Sequence, residues 1–346
     1  MGTCRSMTRF LVCPLIWLAM VAGFAGPAKA ELAALVHDTE NASLRVVRID
    51  SSDGSVTTGT ESVAACCFIS SGMTASDGDS RRFFAYGLEI DEGNPGAPVL
   101  LELGFDGNSV STTAPARSPE GVLAYDSAGG RLIAFEFSDD FQNPSLQLIA
   151  IDPTSGAVSD LGPENLACCE VITGTHAIDS AAQRLFFVGR EFGATDWSIQ
   201  SISLADASLS VIAPMPAAGR PGFLSLNEAG TELDVYLQEA MAGAAGVYRV
   251  NVGTGVATEV SVEADPGCCL VGPGETVGRD QAGLAWWMAG SGSGVTPASG
   301  FMALPTGDDV SSVPSQTMAS GYELHALVVD GQVINPFLLF RDRFEL

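Results

Sequence analysis

The chain has 346 residues, 46% hydrophobic and only 16% charged, and its 41 acidic against 16 basic residues give a formal net charge of −25. So negative a surface repels phosphate backbones and anionic lipid, which excludes nucleic acid and membrane insertion as natural readings and makes the acidity a matter of solubility. The 39 glycines and 18 prolines are spread along the chain without a linker-like block, which points to many turns inside one unit rather than two cores and a spacer.

The first thirty residues read as a secretory signal. Arg5 and Arg9 give a positive start, Phe10 to Phe24 form an apolar run, and Ala28-Lys29-Ala30 is a small-x-small cleavage site. The run is shorter than the roughly 20 residues of a membrane span, and Pro14 and Gly23 interrupt it. Removing the segment takes away Arg5, Arg9 and Lys29 and no acid, so the net charge moves from −25 to −28. The expected location is periplasmic or extracellular, with Glu31 as the mature N-terminus.

From Glu31 onward the pattern is one of short apolar strands and polar turns. Leu32 to Val36, Leu44 to Ile49 and Val56 to Thr60 come first. A hairpin frame then recurs: Asp77 to Arg82 before Phe83-Phe84, Asp126 to Arg131 before Leu132-Ile133, Asp179 to Arg184 before Leu185-Phe186, Asn227 to Glu232 before Leu233, and more loosely Asp280 before Trp286-Trp287. Asp or Asn suits the opening position because its side chain can bond the backbone two residues on. A second column of turns follows each hairpin, at Asp50 to Gly54, Asp152 to Gly156 and Asn251 to Gly255, where glycine supplies a positive φ.

The anchors at 77, 126, 179, 227, 280 and 330 are spaced 49, 53, 48, 53 and 50 residues apart. Four strands in about fifty residues is the dimension of a propeller blade. The N-terminal region offers three strands without a first, and His325 to Val329 offers a first strand without partners. The expectation is therefore an all-β fold, a six-bladed β-propeller over 31–335 with N-/C-terminal strand closure, followed by a tail at 336–346.

The Asp-opened hairpins and the Ile151-Asp152-Pro153-Thr154-Ser155-Gly156 turn resemble those of secreted bacterial β-propellers, the broad TolB-like and YVTN-like group. The resemblance covers nearly the whole mature chain, but its motifs are structural and shared by proteins of many functions. The tail ending Phe340-Arg341-Asp342-Arg343-Phe344-Glu345 is similar to endings on some exported proteobacterial proteins, a hint of sorting.

Six cysteines survive cleavage, all as adjacent doublets: Cys66-Cys67, Cys168-Cys169 and Cys268-Cys269, separated by 102 and 100 residues, two blades each time. An oxidising compartment disfavours free thiols. Rings within each doublet, cross-links between doublets and thiolates holding a soft metal all stay open at this point. The doublets mark one mouth of the channel, and a ligand or partner site is expected there, with structural corners as the plainer alternative. Arg117 and Arg220 stand at the corresponding places in the alternate blades, where they would offer positive charge to an anion, or simply pair with surface acids. Glu170 and His176 are the acid-base candidates of the third blade.

No Gly-x-Ser-x-Gly elbow or phosphate-binding loop is present. Asp77-Gly78-Asp79 and Asp50 to Asp53 resemble fragments of calcium loops without the closing Glu and read as turns. Six-bladed propellers include calcium-dependent lactonases, but their channel residues do not match here one by one. The sequence thus implies a monomeric binding or scaffold protein for a small molecule, glycan or protein, with no cofactor and no metal, and a channel-metal hydrolase as the alternative.

Overall fold

The computed structural model describes residues 31–38, 43–50, 56–64, 68–91, 94–107, 110–138, 144–166, 168–217, 219–227, 229–238, 244–264, 270–271, 277–280, 285–291, 299–305, 315–317 and 322–330. The expected signal segment and tail lie outside them. Every described element is a strand, and all strand pairs are antiparallel.

The strands form six sheets. One joins β1 (Glu31–Asp38), β2 (Ser43–Asp50) and β3 (Val56–Ala64) to the last strand, β26 (Tyr322–Asp330). The remaining sheets follow in chain order. The first of these is β4 (Phe68–Asp77), β5 (Arg82–Asp91), β6 (Asn94–Gly104) and β7 (Val110–Thr113). The second is β8 (Glu120–Asp126), β9 (Arg131–Phe137), β10 (Ser145–Ile151) and β11 (Val158–Asp160), with β12 (Asn165–Leu166) also on β10. The third is β13 (Cys168–Asp179), β14 (Arg184–Glu191), β15 (Ser198–Ser203) and β16 (Leu209–Pro214). The fourth is β17 (Arg220–Leu226), β18 (Glu232–Gln238), β19 (Ala244–Asn251) and β20 (Ala257–Ala264). In the fifth, β21 (Leu270–Val271) and β22 (Val277–Asp280) both pair β23 (Ala285–Ser291), which pairs β24 (Ser299–Pro305) and then β25 (Ser315–Thr317).

Inner strands pack against one another from sheet to sheet: β4 on β8, β8 on β13, β13 on β17, β22 on β26, and β26 on β4. β1 pairs β2 on one side and β26 on the other, with Glu31 opposite Asp330, so both termini of the described chain share one sheet.

The core lies between sheets, not within them. Phe135 and Leu148 cluster with Cys169, Leu185, Phe187 and Ile202 across the β8–β11 and β13–β16 sheets, and Phe84, Tyr86 and Leu100 do the same with Leu132 and Ile149 one boundary earlier. Each fully buried side chain of this size contributes about 1.5–3 kcal/mol, so neighbouring sheets hold one another in place. The turn glycines tighten the same boundaries. Gly156 and Gly255 have φ of +70° and +69°, and a Cβ on either would come within 2.4 Å of a carbonyl oxygen of the preceding sheet, Ala114 O or Ile212 O.

Candidate functional site

The inner strands expose two ends, and the residues singled out by sequence divide between them. At the C-terminal ends of β4, β8 and β13 lie Asp-opened hairpins. Asp77 Oδ1 accepts the Ser80 N–H at 3.2 Å while Oδ2 accepts Arg82 Nε at 3.0 Å. Asp179 repeats the arrangement with Ala182 N–H at 2.8 Å and Arg184 at 3.1 Å. Asp126, wholly buried, takes Arg131 Nε at 3.0 Å. The residue before each arginine, Arg81, Gly130 or Gln183, holds a left-handed φ. The turn needs that geometry to bring an arginine back to the carboxylate five positions earlier.

These clips also tie sheet to sheet. Arg82 donates to Tyr125 Oη at 3.1 Å, with its guanidinium over the Phe84 and Tyr125 rings at 5.0 and 5.5 Å. Gln183 donates to Asp126 Oδ1 at 3.3 Å and accepts from Arg131. Burial raises the Asp77 carboxyl, but the hydrogen bonds from Ser80 and Arg82 outweigh it and hold the group below the usual carboxylate range. Asp77-Gly78-Asp79 is thus a turn, as its sequence implied. In the fourth sheet Asn227 Oδ1 accepts the N–H groups of Thr231 and Glu232 at 2.9 and 3.1 Å. The arginine there comes from the third strand, Arg249, on Asp234 at 2.8 Å.

Between these hairpins opens a cavity of about 420 Å³, lined by Asp77, Asp79, Tyr125, Ser127, Asp179 and Asn227 among others. Four successive sheets contribute to it. Its walls offer carboxylate, amide, hydroxyl and aromatic groups over an apolar edge at Ile178 and Leu226. Such a mixture can fix the orientation of a small polar ligand.

The doublet end is different. Cys66, Cys67, Cys268 and Cys269 lie outside the described residues. Cys168 begins β13 opposite Glu191. Cys169 is 7% exposed, with its sulfur 3.6 Å from Gln200 Oε1. It is disulfide-bonded, to a partner whose side chain is not among those described. Glu170 accepts Arg190 Nε at 2.6 Å, and that guanidinium stacks 4.4 Å from the Trp197 ring. Arg117 donates to Glu136 at 2.7 Å and also to Asp160. Its charge is therefore spent on surface acids rather than offered to an anion. Arg220 begins β17 opposite Gln238, its side chain undescribed.

His176 belongs to neither end. It is buried midway along β13, with Nε2 2.8 Å from Leu123 O and Nδ1 without a partner. Burial pushes its pKa down to about 4, against the opposing effect of the Leu123 hydrogen bond. A neutral imidazole bonded to a neighbouring strand is a packing residue. The structure thus places Glu170 with Arg190, His176 with Leu123 and Arg117 with Glu136, and gathers none of them around the cavity. Sequence reasoning named Asp77 and Asp179 as turn anchors but missed that the hairpins themselves form the cavity wall; the signal was present in their equal spacing around a ring.

Among the described residues no three His, Cys, Asp or Glu side chains converge to hold a metal ion. They include no helix long and apolar enough to cross a membrane.

Comparison with solved structures agrees with the fold. The chain superimposes on TolB from Acinetobacter baumannii with a TM-score of 0.58 at 10% identity, covering 91% of this chain and 70% of that one. A chain of a nidogen/laminin complex gives 0.55 at 13% identity over 87% and 98%. The Pseudomonas aeruginosa periplasmic gluconolactonase PpgL gives 0.50 at 14% identity over 86% and 99%. No family model matches the sequence, and no curated protein matches it either. These likenesses show the fold, a β-propeller.

Proposed function

We propose that the chain is an exported six-bladed β-propeller, sealed where β26 joins β1, that works as a binding or scaffold protein and seats its ligand among the Asp-opened hairpins. The cavity of about 420 Å³ at that end carries the reading. The sequence pointed to the doublet end for a ligand; the cavity favours the opposite end of the same strands. Six sheets with one sheet shared by the two termini support the ring. A small molecule, a glycan or a protein segment fits the lining chemistry, whereas anions meet Asp79 and a net charge of −28 after signal removal.

The doublets then serve as anchors, oxidised in the exported protein, and the disulfide at Cys169 supports that role. The alternative is a channel-metal hydrolase, which the fold likeness to a gluconolactonase keeps in view. Gluconolactone incubated with the mature protein, with calcium and then with a chelator, decides between them: chelator-sensitive turnover overturns the binding reading. On glycan and peptide arrays the mature protein should show hits that Ser127→Trp weakens at least tenfold, on the order of 1.4 kcal/mol, because the indole fills the cavity. Hits of unchanged affinity in that variant place the site elsewhere.

A further inference from the structure

The inner strands are of two kinds. In β8 two extra residues, 121 and 122, break the register between Glu120 and Leu123, and in β17 one extra residue does so between Pro221 and Phe223. In β4 and β13 the departure is larger. Residues 70–73 stand between partners Gly87 and Ala85, and residues 172–175 between Gly189 and Phe187, so four residues face one. Each excursion contains a glycine at positive φ, Gly72 at +72° and Gly174 at +76°. The two glycines meet: a Cβ on Gly72 would fall 2.8 Å from both Cα and N of Gly174. Sheets β4–β7 and β13–β16 are separated by β8, so this backbone contact bypasses the intervening strand and lies inside the channel.

Both excursions share a sequence element, two cysteines, four residues and a glycine: Cys66-Cys67 to Gly72 and Cys168-Cys169 to Gly174. The partner strand supplies a glycine opposite the root of each, Gly87 and Gly189. The element recurs once more, from Cys268-Cys269 to Gly274. There Val271 pairs Gly290 and Val277 pairs Met288; residues 272–276 lie outside the described residues.

We propose that the paired excursions of β4 and β13 form a channel plug: in each the Cys-Cys-x4-Gly element places a glycine that lets backbone meet backbone at the axis. The plug divides the channel into two separate mouths. A ligand seated among the Asp-opened hairpins occupies a blind cup and does not reach the cysteines. The inference rests on the ring reading but not on what the cup binds.

The test begins with peptide-resolved hydrogen exchange on the unmodified mature protein. Amides of 70–76 and 172–178 should exchange far more slowly than the hairpin tip 127–130. Fast exchange confined to 70–76 and 172–178 overturns the plug while leaving the ring intact; fast exchange along β8 as well overturns both. Glycine-to-alanine pairs give a second reading by urea midpoint. Gly72→Ala with Gly174→Ala should be non-additive because both methyls need one space. Gly130→Ala, at positive φ with nothing within 4 Å of its Cβ, should add independently to each. Strict additivity of Gly72→Ala and Gly174→Ala overturns the plug. Where an alanine pair fails to fold, the exchange data on the unmodified protein stand alone as the deciding measurement.

Discussion

The two ends of each inner strand solve the same problem by different means. At the hairpin end Asp77, Asp126 and Asp179 are each closed by an arginine five residues later, so the ion pair and the turn are one local unit repeated in successive sheets. At the doublet end the pairs span the chain: Arg117 reaches Glu136 and Asp160, and Arg190 reaches back to Glu170. Local pairs fix the shape of a turn, while long-range pairs only fasten together strands already placed. The hairpin end is therefore the precise one, and it is where a cavity with convergent polar groups is found.

Between the ends the strand tolerates no charge, and His176 gives the largest expected effect. Its folded pKa near 4 lies below the ordinary 6.5, so as pH falls the unfolded state binds the proton first. Stability is unaffected above about pH 6.5 and is lost as pH drops toward 4, by on the order of 3 kcal/mol. The Asp77 carboxylate begins to titrate only below that window, since it is held under its usual value of 3.8. Urea midpoints at about pH 7 and about pH 4.5 should diverge in the parent protein and converge in His176→Thr, which installs the residue found at the matching place in β4, Thr74. A parent protein equally stable at both would contradict the buried, neutral imidazole.

Asp126→Ala should rank next, costing on the order of 2 kcal/mol. The carboxylate is wholly buried and serves both Arg131 and Gln183, but Arg131 is partly exposed and regains water, which limits the loss. Equilibrium denaturation of Asp126→Ala beside Asp179→Ala sharpens the contrast. The less buried Asp179 should cost less; a larger loss there would mean that sheet-to-sheet bonding at Asp126 contributes little.

What was legible in the sequence follows the same division. Asp77, Asp126 and Asp179 could be read as turn anchors because the bonds that define them join residues three and five apart. The incomplete sets of strands read at the two ends of the chain are the ones that β26 and β1 bring into one sheet. Arg117 was read as an optional anion ligand because Glu136 and Asp160, 19 and 43 residues on, become its neighbours only after the sheet forms. Gly72 and Gly174 went unnoticed among 39 glycines, although their fixed distance from the cysteine doublets was visible; what gave them meaning was the register shift, which periodicity alone does not reveal.

Arg117→Ala, at the doublet end, should cost under about 1 kcal/mol, since the guanidinium is a third exposed and both its partners keep their water. A loss as large as that of Asp126→Ala would erase the distinction between the two ends. The smallest effect has the opposite sign. Arg81 holds φ at +54°, where a side chain costs roughly 1–2 kcal/mol, while its backbone carbonyl accepts the Phe105 N–H at 2.8 Å. Arg81→Gly removes the steric cost and keeps that hydrogen bond, but it also gives the unfolded chain about 0.5–1 kcal/mol of extra freedom. The balance is a gain of a few tenths of a kcal/mol, read as a small rise in the urea midpoint at unchanged slope. A fall instead would show that the Arg81 side chain stabilises the hairpin by more than its backbone conformation costs, and the left-handed position would then be a chosen contact point rather than a tolerated strain.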